Sequence, residues 1–411
     1  MVWPVRSRRN GAVRFQGLGI GGCALVVAAT LTGGAFAQEM ESSAGRLEAQ
    51  VVAEGLDHPW ALEFLPDGRM LVTERSGTMR IIADGEVGEP IEGVPAVVAQ
   101  GQGGLLDVAL APDFATSGRI YLSYAEPAES AGQNRGTGTA VMAATLALDE
   151  AGGAQLADGE VIFRMNHFTP SNRHFGSRIA IGNDGNLFVT LGERGQAERA
   201  QDVSDLAGAV VRIGPDGSIP ADNPQPEGWA PELWSKGHRN PQGAVVRESD
   251  GQLFIVEHGA RGGDEVNMPR AGANYGWPII TYGVDYSGLP IGEGTEQEGL
   301  EQPLHYWDPS ISPSGLTFVS GELFPDWEGD LITGGLSGRT MVRIDMEGDE
   351  VVGTEPLFEG QLGRVRDVRI GPDGAIYAVI DSGSAEIFRI APGGRACQAL
   401  SESAVPSPPS P

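Results

Sequence analysis

Apolar and polar positions along this chain fall into short runs, and one unit recurs: an apolar strand, a tight turn, then a second apolar strand. The turns are Leu65-Pro66-Asp67-Gly68, Ala111-Pro112-Asp113-Phe114, Gly182-Asn183-Asp184-Gly185, Glu248-Ser249-Asp250-Gly251, Phe324-Pro325-Asp326-Trp327 and Gly371-Pro372-Asp373-Gly374. Each leads into a run such as Met70-Leu71-Val72, Leu187-Phe188-Val189 or Leu253-Phe254-Ile255. Asp-Gly supplies the positive φ that a hairpin needs, and β-branched or aromatic residues suit pleated strands. Helical signals are scarce, because 61 glycines and 28 prolines punctuate the chain and no long stretch holds a 3.6-residue period. The pattern predicts an all-β protein. Six copies at intervals of roughly 45 to 75 residues fit a six-bladed β-propeller of four-stranded antiparallel blades, whose closure leaves few free edges. A sandwich or two separate β domains would use the same turns. The long intervals from Asp113 to Asp184 and from Asp250 to Asp326 predict insertions, where function concentrates.

The chain ends read differently. Residues 1–37 predict an export signal: Arg6, Arg8, Arg9 and Arg14 precede an apolar run from Leu18 to Leu31, and Ala35-Phe36-Ala37 is an A-x-A cleavage signal. Arg8-Arg9 leaves a twin-arginine route open beside the general one, and Cys23 faintly resembles a lipoprotein box. Residues 38–48 are expected as an N-terminal linker, 49–392 as the propeller, and 393–411, which end in Pro-Ser-Pro-Pro-Ser-Pro, as a disordered tail. No later run approaches the roughly 18 to 20 apolar residues of a membrane span. A periplasmic or secreted protein is expected.

Removing the signal takes away four arginines and no acidic residue, so the formal charge of −27 becomes −31. Nucleic acid and anionic membranes need a positive field and are poor partners on that ground. Cys397 is the one cysteine after residue 37, so no intramolecular disulfide holds the mature domain together and its stability rests on the core.

Chemistry-bearing residues crowd into Gly237-His238-Arg239-Asn240-Pro241-Gln242-Gly243, Glu257-His258-Gly259 and Arg261-Gly262-Gly263-Asp264-Glu265. Among the six histidines, His174 opens His174-Phe175-Gly176-Ser177-Arg178 just before a predicted strand, where a loop imidazole could act as a general base, although a loop histidine taken alone is more often structural. His58 reads as packing, and His238 and His258 as orienting loops. No His-x-x-x-His or Cys-x-x-Cys spacing supports zinc. Asp264-Glu265 with Tyr275-Gly276 offers carboxylate and carbonyl oxygens suited to calcium, or else a solvated acidic pair. In Arg364-Val365-Arg366-Asp367-Val368-Arg369, an extended backbone puts Arg364 and Arg366 on one face, fit to hold a polyanion or simply to pair with rim acids. Gly101-Gln102-Gly103-Gly104-Leu105-Leu106-Asp107 lacks the Lys-Ser/Thr of a phosphate loop, which disfavours a nucleotide. Gln102 is placed to bond a polar ligand, although the glycines serve the turn in any case.

Taken in order, His58-Pro59-Trp60-Ala61, Gly101 to Val108, His174-Phe175-Gly176, Gly237 to Gly243, Gly259 to Glu265, Asn274-Tyr275-Gly276-Trp277-Pro278, Ser314-Gly315 and Arg364 to Val368 resemble the soluble aldose sugar and glucose dehydrogenases that use pyrroloquinoline quinone. The resemblance runs from Leu56 to Ile390. It implies a six-bladed propeller with the quinone and calcium at the top of the ring. It further implies His174 as the base toward the anomeric hydroxyl of an aldose, with hydride passing to quinone carbon C5. Arg239 and Asn240 match contacts to the quinone oxygens, and Tyr286, Arg364 and Arg366 match further cofactor contacts. Glu265 and the Tyr275 carbonyl match calcium ligands, and Gln102 matches a sugar contact. Electrons would pass to a quinone, a dye or a carrier protein. Two positions depart from the family: Ser337 stands where a lysine is usual, with Arg339 as a candidate substitute, and Arg173 stands before His174 where glucose-specific members have aspartate. A calcium-dependent lactonase and a non-catalytic carbohydrate-binding propeller share the expected fold and remain alternatives.

Overall fold

The computed structural model describes residues 38–148 and 153–393. The leader expected over 1–37 and the tail from 394 onward lie outside the described residues. The described chain forms six antiparallel sheets in sequence order, which is the propeller that the turn spacing predicts. Each blade starts with an innermost strand: Pro59–Phe64, Leu105–Leu110, Gly176–Ile181, Pro241–Val246, Pro313–Phe318 and Val365–Ile370. Every innermost strand packs on the next one around the ring, and Val365–Ile370 meets Pro59–Phe64 to close it.

Period-2 alternation explains why the blades stack. In Leu253–Glu257, Leu253 and Ile255 face the third blade, while Phe254 and Val256 face the fifth. Leu331 and Ile332 divide between the two neighbours of the fifth blade in the same way. Six buried clusters result, one in each gap between blades. Both faces of each second strand are therefore apolar, which is why these strands read as continuous hydrophobic runs rather than as alternating ones.

Five sheets have four strands and the sixth has five. Gly45–Leu56 pairs with Ala385–Pro392 from Leu47 opposite Pro392 to Leu56 opposite Ala385, and Gln38–Ser42 adds an outer strand. The linker expected over 38–48 is thus corrected to strand. Ring closure is the physical reason: the last blade lacks outer strands of its own, and Leu47 and Ala49 are buried against it.

The six turns all join an innermost strand to its second strand, so they share one end of the ring. Segments entering the innermost strands and leaving the second strands share the other end. Between the two ends, the centre of the ring holds buried charge. Asp107 accepts from Arg178 Nη1 at 2.8 Å and from the Ile179 amide at 2.7 Å, and Asp367 accepts from the Leu62 amide at 3.0 Å. Arg178 also reaches Asp367 at 3.2 Å and lies 4.3 Å over the Trp60 ring. Four blades are stitched through these groups. Removing one partner of a buried pair typically costs about 3–5 kcal/mol. Asp107→Ala is expected to lower unfolding stability by that order in urea titration, and a change within about 0.5 kcal/mol would show that the network does not hold the ring.

Candidate functional site

At the end opposite the turns, a cavity of about 690 Å3 opens over the ring. Gln102, His174, Arg239, Tyr286, Arg364 and Arg366 line it, so six of the nine residues singled out from the sequence converge. Asn240, Glu265 and Tyr275 do not reach its wall; they lie in the layer behind Arg239.

His174 sits at the entry to the third blade with φ 54°. Its backbone amide donates to Gln102 Oε1 at 2.6 Å, which ties the second-blade and third-blade loops together. Gly192 lies against this turn because a Cβ there would come within 2.1 Å of the His174 carbonyl oxygen. The Glu193 carboxylate meets His174 Nδ1 at 2.5 Å. With Nδ1–H donating to Glu193, Nε2 is the nitrogen left to accept a proton. Burial lowers the His174 pKa below the ordinary histidine value, and Arg239 and Arg173 add to this against the raising effect of Glu193. The imidazole is neutral at pH 7.

Arg239 is fixed from behind. Its amide donates to Glu257 Oε2 at 2.7 Å, its Nη1 donates to the carbonyls of His258 and Gly259, and its guanidinium stands 5.2 Å over the Trp277 ring. Its Nε is buried with no hydrogen-bond partner. Next to it, Asn240 Oδ1 accepts from the Gly176 amide and from Gln242 Nε2, both at 3.2 Å, while Asn240 Nδ2 is buried and likewise without a partner. Such orphaned donors are costly unless something fills them.

Arg366 Nη1 donates to Gln242 Oε1 at 3.0 Å, and Arg366 lies 3.6 Å from Asp381. Burial pushes its pKa down to about 10, so it remains a cation. Asp381 also takes Arg364 at 3.1 Å and His58 Nδ1 at 2.8 Å, which gives His58 a polar role beyond packing. Burial raises the Asp381 pKa, but Arg366, the His58 bond and Arg364 outweigh it and bring it to about 2. His258 lines the cavity as a neutral ring: burial, Arg239 and Arg366 push its pKa down to about 3, and its Nε2 bonds the Pro313 carbonyl at 2.8 Å.

Behind Arg239, Glu257 holds His238 Nδ1 at 2.8 Å, and the Asn267 amide bridges Glu257 and Glu265 at 3.0 and 2.9 Å. Burial and then the Glu257 carboxylate push the Glu265 pKa up. The Tyr275 ring stacks on His238 at 4.8 Å. Among the described residues no group of three or more His, Cys, Asp or Glu side chains forms a metal cluster. A cation here would rest on Glu265, the Tyr275 carbonyl and oxygens that a ligand brings.

Sequence reasoning missed Glu193, Asp381 and the cavity arginine Arg75, and quoted Gln242 and Arg261 within motifs without giving either a role. A signal existed for Glu193: His174 pairs with the acid 19 residues on, as His238 does with Glu257. Ser337 lines the cavity and bonds Ser312 Oγ at 2.7 Å, whereas Arg339 lies in the adjoining shallow cleft with Arg364. Arg339 therefore does not replace the expected lysine inside this cavity; Arg75 and Arg261 carry the additional charge there.

The chain matches the family model described as Glucose / Sorbosone dehydrogenase over residues 56–389. It is 42% identical over 352 residues to the Aldose sugar dehydrogenase YliI of Escherichia coli (strain K12), which covers 84% of this chain and 93% of that one. The crystal structure of the soluble aldose sugar dehydrogenase from Escherichia coli in the apo form superposes with a TM-score of 0.80 at 41% identity, over 84% of this chain and 99% of that one. The PQQ-bound form of the aldose sugar dehydrogenase from Streptomyces coelicolor gives 0.69 at 28% identity, over 86% and 99%. Six blades, a cavity lined by the matched motifs, and similarity over this length establish that the chain belongs to the glucose/sorbosone dehydrogenase family.

Proposed function

We propose that this chain is a quinoprotein oxidoreductase that converts the anomeric carbon of aldose sugars to a lactone. Pyrroloquinoline quinone would be its redox cofactor, with calcium beside it. One observation carries the reading: a neutral, acid-oriented imidazole faces a cavity with five guanidinium groups, two of the buried donors behind it being unfilled, in a chain of formal charge −27. A flat tricarboxylate with quinone oxygens matches that donor set in charge and in acceptor number.

When bound, the quinone supplies a two-electron acceptor that takes hydride at its carbon C5. His174 Nε2 accepts the proton of the anomeric hydroxyl, and Glu193 holds the ring in the required tautomer and balances the imidazolium that forms. Gln102, already bonded to the His174 amide, presents its remaining amide group to the sugar. Arg239 would face the quinone oxygens, where fixed positive charge stabilises developing negative charge in a water-poor pocket, while Asn240, matched to the same role by sequence, sits one layer behind and braces the Gly176 turn. Arg364 and Arg366 hold carboxylates, with Gln242 and Asp381 keeping the Arg366 fork in place, and Tyr286 covers the cofactor from the rim. Glu265 and the Tyr275 carbonyl would hold calcium, which relieves the crowding of Glu257 and Glu265 and acts as a Lewis acid. Export to the periplasm or beyond rests on the leader at 1–37. Among the described residues no helix is long and apolar enough to cross a membrane.

The deciding experiment is reconstitution. Purified apoprotein given pyrroloquinoline quinone and calcium is expected to reduce a redox dye in the presence of an aldose; no dye reduction and no quinone absorbance on the protein would overturn the reading. Lactone hydrolysis with calcium alone would assign a hydrolase instead, and the absence of both activities a binding propeller. His174→Ala is expected to retain the cofactor and lose at least about a hundredfold in turnover, the lower end for a general base. Because the His174 pKa is lowered, the wild-type rate should fall only below the ordinary histidine range of roughly 6.5, and a wild-type rate in the variant would remove His174 as the base. Arg366→Ala should act mainly on cofactor retention, read as a raised quinone concentration for half-maximal reconstitution; unchanged affinity would refute the anion-clamp role.

A further inference from the structure

Large exposed hydrophobic side chains are few among the described residues, and four of them, Val284, Tyr286, Leu289 and Tyr306, belong to the fourth blade between its third and fourth strands or to that fourth strand. Tyr286 and Leu289 are 69% and 67% exposed. They crown a short hairpin closed by Val284 opposite Pro290, with the Asp285 amide donating to the Leu289 carbonyl at 2.9 Å. The hairpin is anchored on the cavity wall, because Val284 pairs with Arg261 and Tyr286 itself lines the opening. Exposed apolar side chains gathered on one hairpin and rimmed by polar residues mark an interaction site, as singly scattered ones do not.

Charge says what kind of partner fits. Between Arg270 and Arg339 the sequence has ten Asp or Glu residues and no Lys or Arg. Asp285, Glu293, Glu296 and Glu298 are exposed on or just beyond the hairpin. An apolar tip ringed by carboxylates is complementary to an apolar patch ringed by lysines. A second copy of this acidic chain would be repelled. The nearby Arg261 points into the cavity, where the reading above places an anionic cofactor.

We infer that the 284–290 hairpin and its acidic flank through Glu298 dock a small basic one-electron carrier protein, of the haem type, that collects electrons from the loaded cavity. This rests on the dehydrogenase reading. Oxidation of one aldose to its lactone yields two electrons and two protons. Two ferric haem groups would take one electron each and become ferrous, and the two protons would leave to solvent. Docking at the cavity mouth keeps each transfer short while the hairpin itself takes no part in the sugar chemistry.

The test uses the full chain loaded with pyrroloquinoline quinone and calcium, an aldose, and either a small redox dye or basic mitochondrial-type ferric cytochrome c as the probe. Wild-type enzyme should reduce the cytochrome at a rate that falls steeply as salt is raised, while the dye rate stays flat. Leu289→Ser and the triple variant Glu293→Lys, Glu296→Lys, Glu298→Lys should each lower kcat/KM for cytochrome at least about tenfold, as loss of steering does, with dye-linked kcat unchanged. Dye activity without cytochrome reduction, or cytochrome reduction indifferent to salt and to both variants, overturns the docking surface and leaves the dehydrogenase reading standing. Absence of dye activity in the wild type sinks both.

Discussion

Convergent arginines are the constraint on which the rest of this structure depends. Arg75, Arg239, Arg261, Arg364 and Arg366 repel one another, and Arg239 and Arg366 are buried as well, which is expensive unless a rigid frame supplies compensating groups from outside the cavity. Each blade supplies something different: the Gly101 carbonyl takes Arg75, the His258 and Gly259 carbonyls take Arg239, and Asp381 with Gln242 takes Arg366. A loop alone could not hold this arrangement. A ring can, because Arg75, Arg239 and Arg366 are each fixed by partners on blades whose two faces are buried against their neighbours.

The same reasoning explains why the acidic excess and the basic cavity coexist. Carboxylates spread over the outside carry the excess charge, and several inside are spent on cations and donors: Asp381 on Arg364 and Arg366, Glu193 on His174, Glu257 on His238 and the Arg239 amide. The central Asp107, Arg178 and Asp367 network lies directly below the cavity floor through Trp60, whose ring is faced by Arg178 at 4.3 Å and by Arg366 at 5.8 Å. Ring closure and site geometry thus share one set of contacts, so a lesion in the channel reaches the cavity without touching a ligand.

The sequence made the blades legible because an Asp-Gly-type turn recurs at one structural position, the link from innermost to second strand. It concealed the closing strand, since Gly45–Leu56 joins its sheet only through Ala385–Pro392 at the far end of the chain, a pairing that no local pattern announces. Site residues carried by contiguous motifs, such as His174, Arg239 and Arg366, were readable. Arg75 was not, because it stands outside every motif and reaches the cavity through the packing of blades, and Arg261, although it opens a quoted motif, carried no role until the fold set it on the cavity wall. Asp381 was hidden for the same reason: it follows the strand Ile376–Ile380 as an ordinary acid, and only the fold sets it between two arginines and His58.

Glu193 shows how a repeat can vary one device. Blades three and four both place a histidine at the entry to the ring region and an acid 19 residues later, at or just after the end of the second strand. In the third blade, positive φ at His174 turns the imidazole toward the cavity, so orientation by the acid leaves a nitrogen available for proton transfer. In the fourth, His238 precedes Arg239, lies fully buried, and spends both nitrogens, Nδ1 on Glu257 and Nε2 on Ser235 at 2.9 Å, beneath the Tyr275 ring. One pair is therefore poised for chemistry, whereas the other, its protons all committed, serves as the footing that holds Arg239. The difference lies in register, the histidine standing two residues before Gly176 in one blade and three before Pro241 in the other, not in the identity of the pair, which is why residue types alone could not rank these histidines and the blade register can.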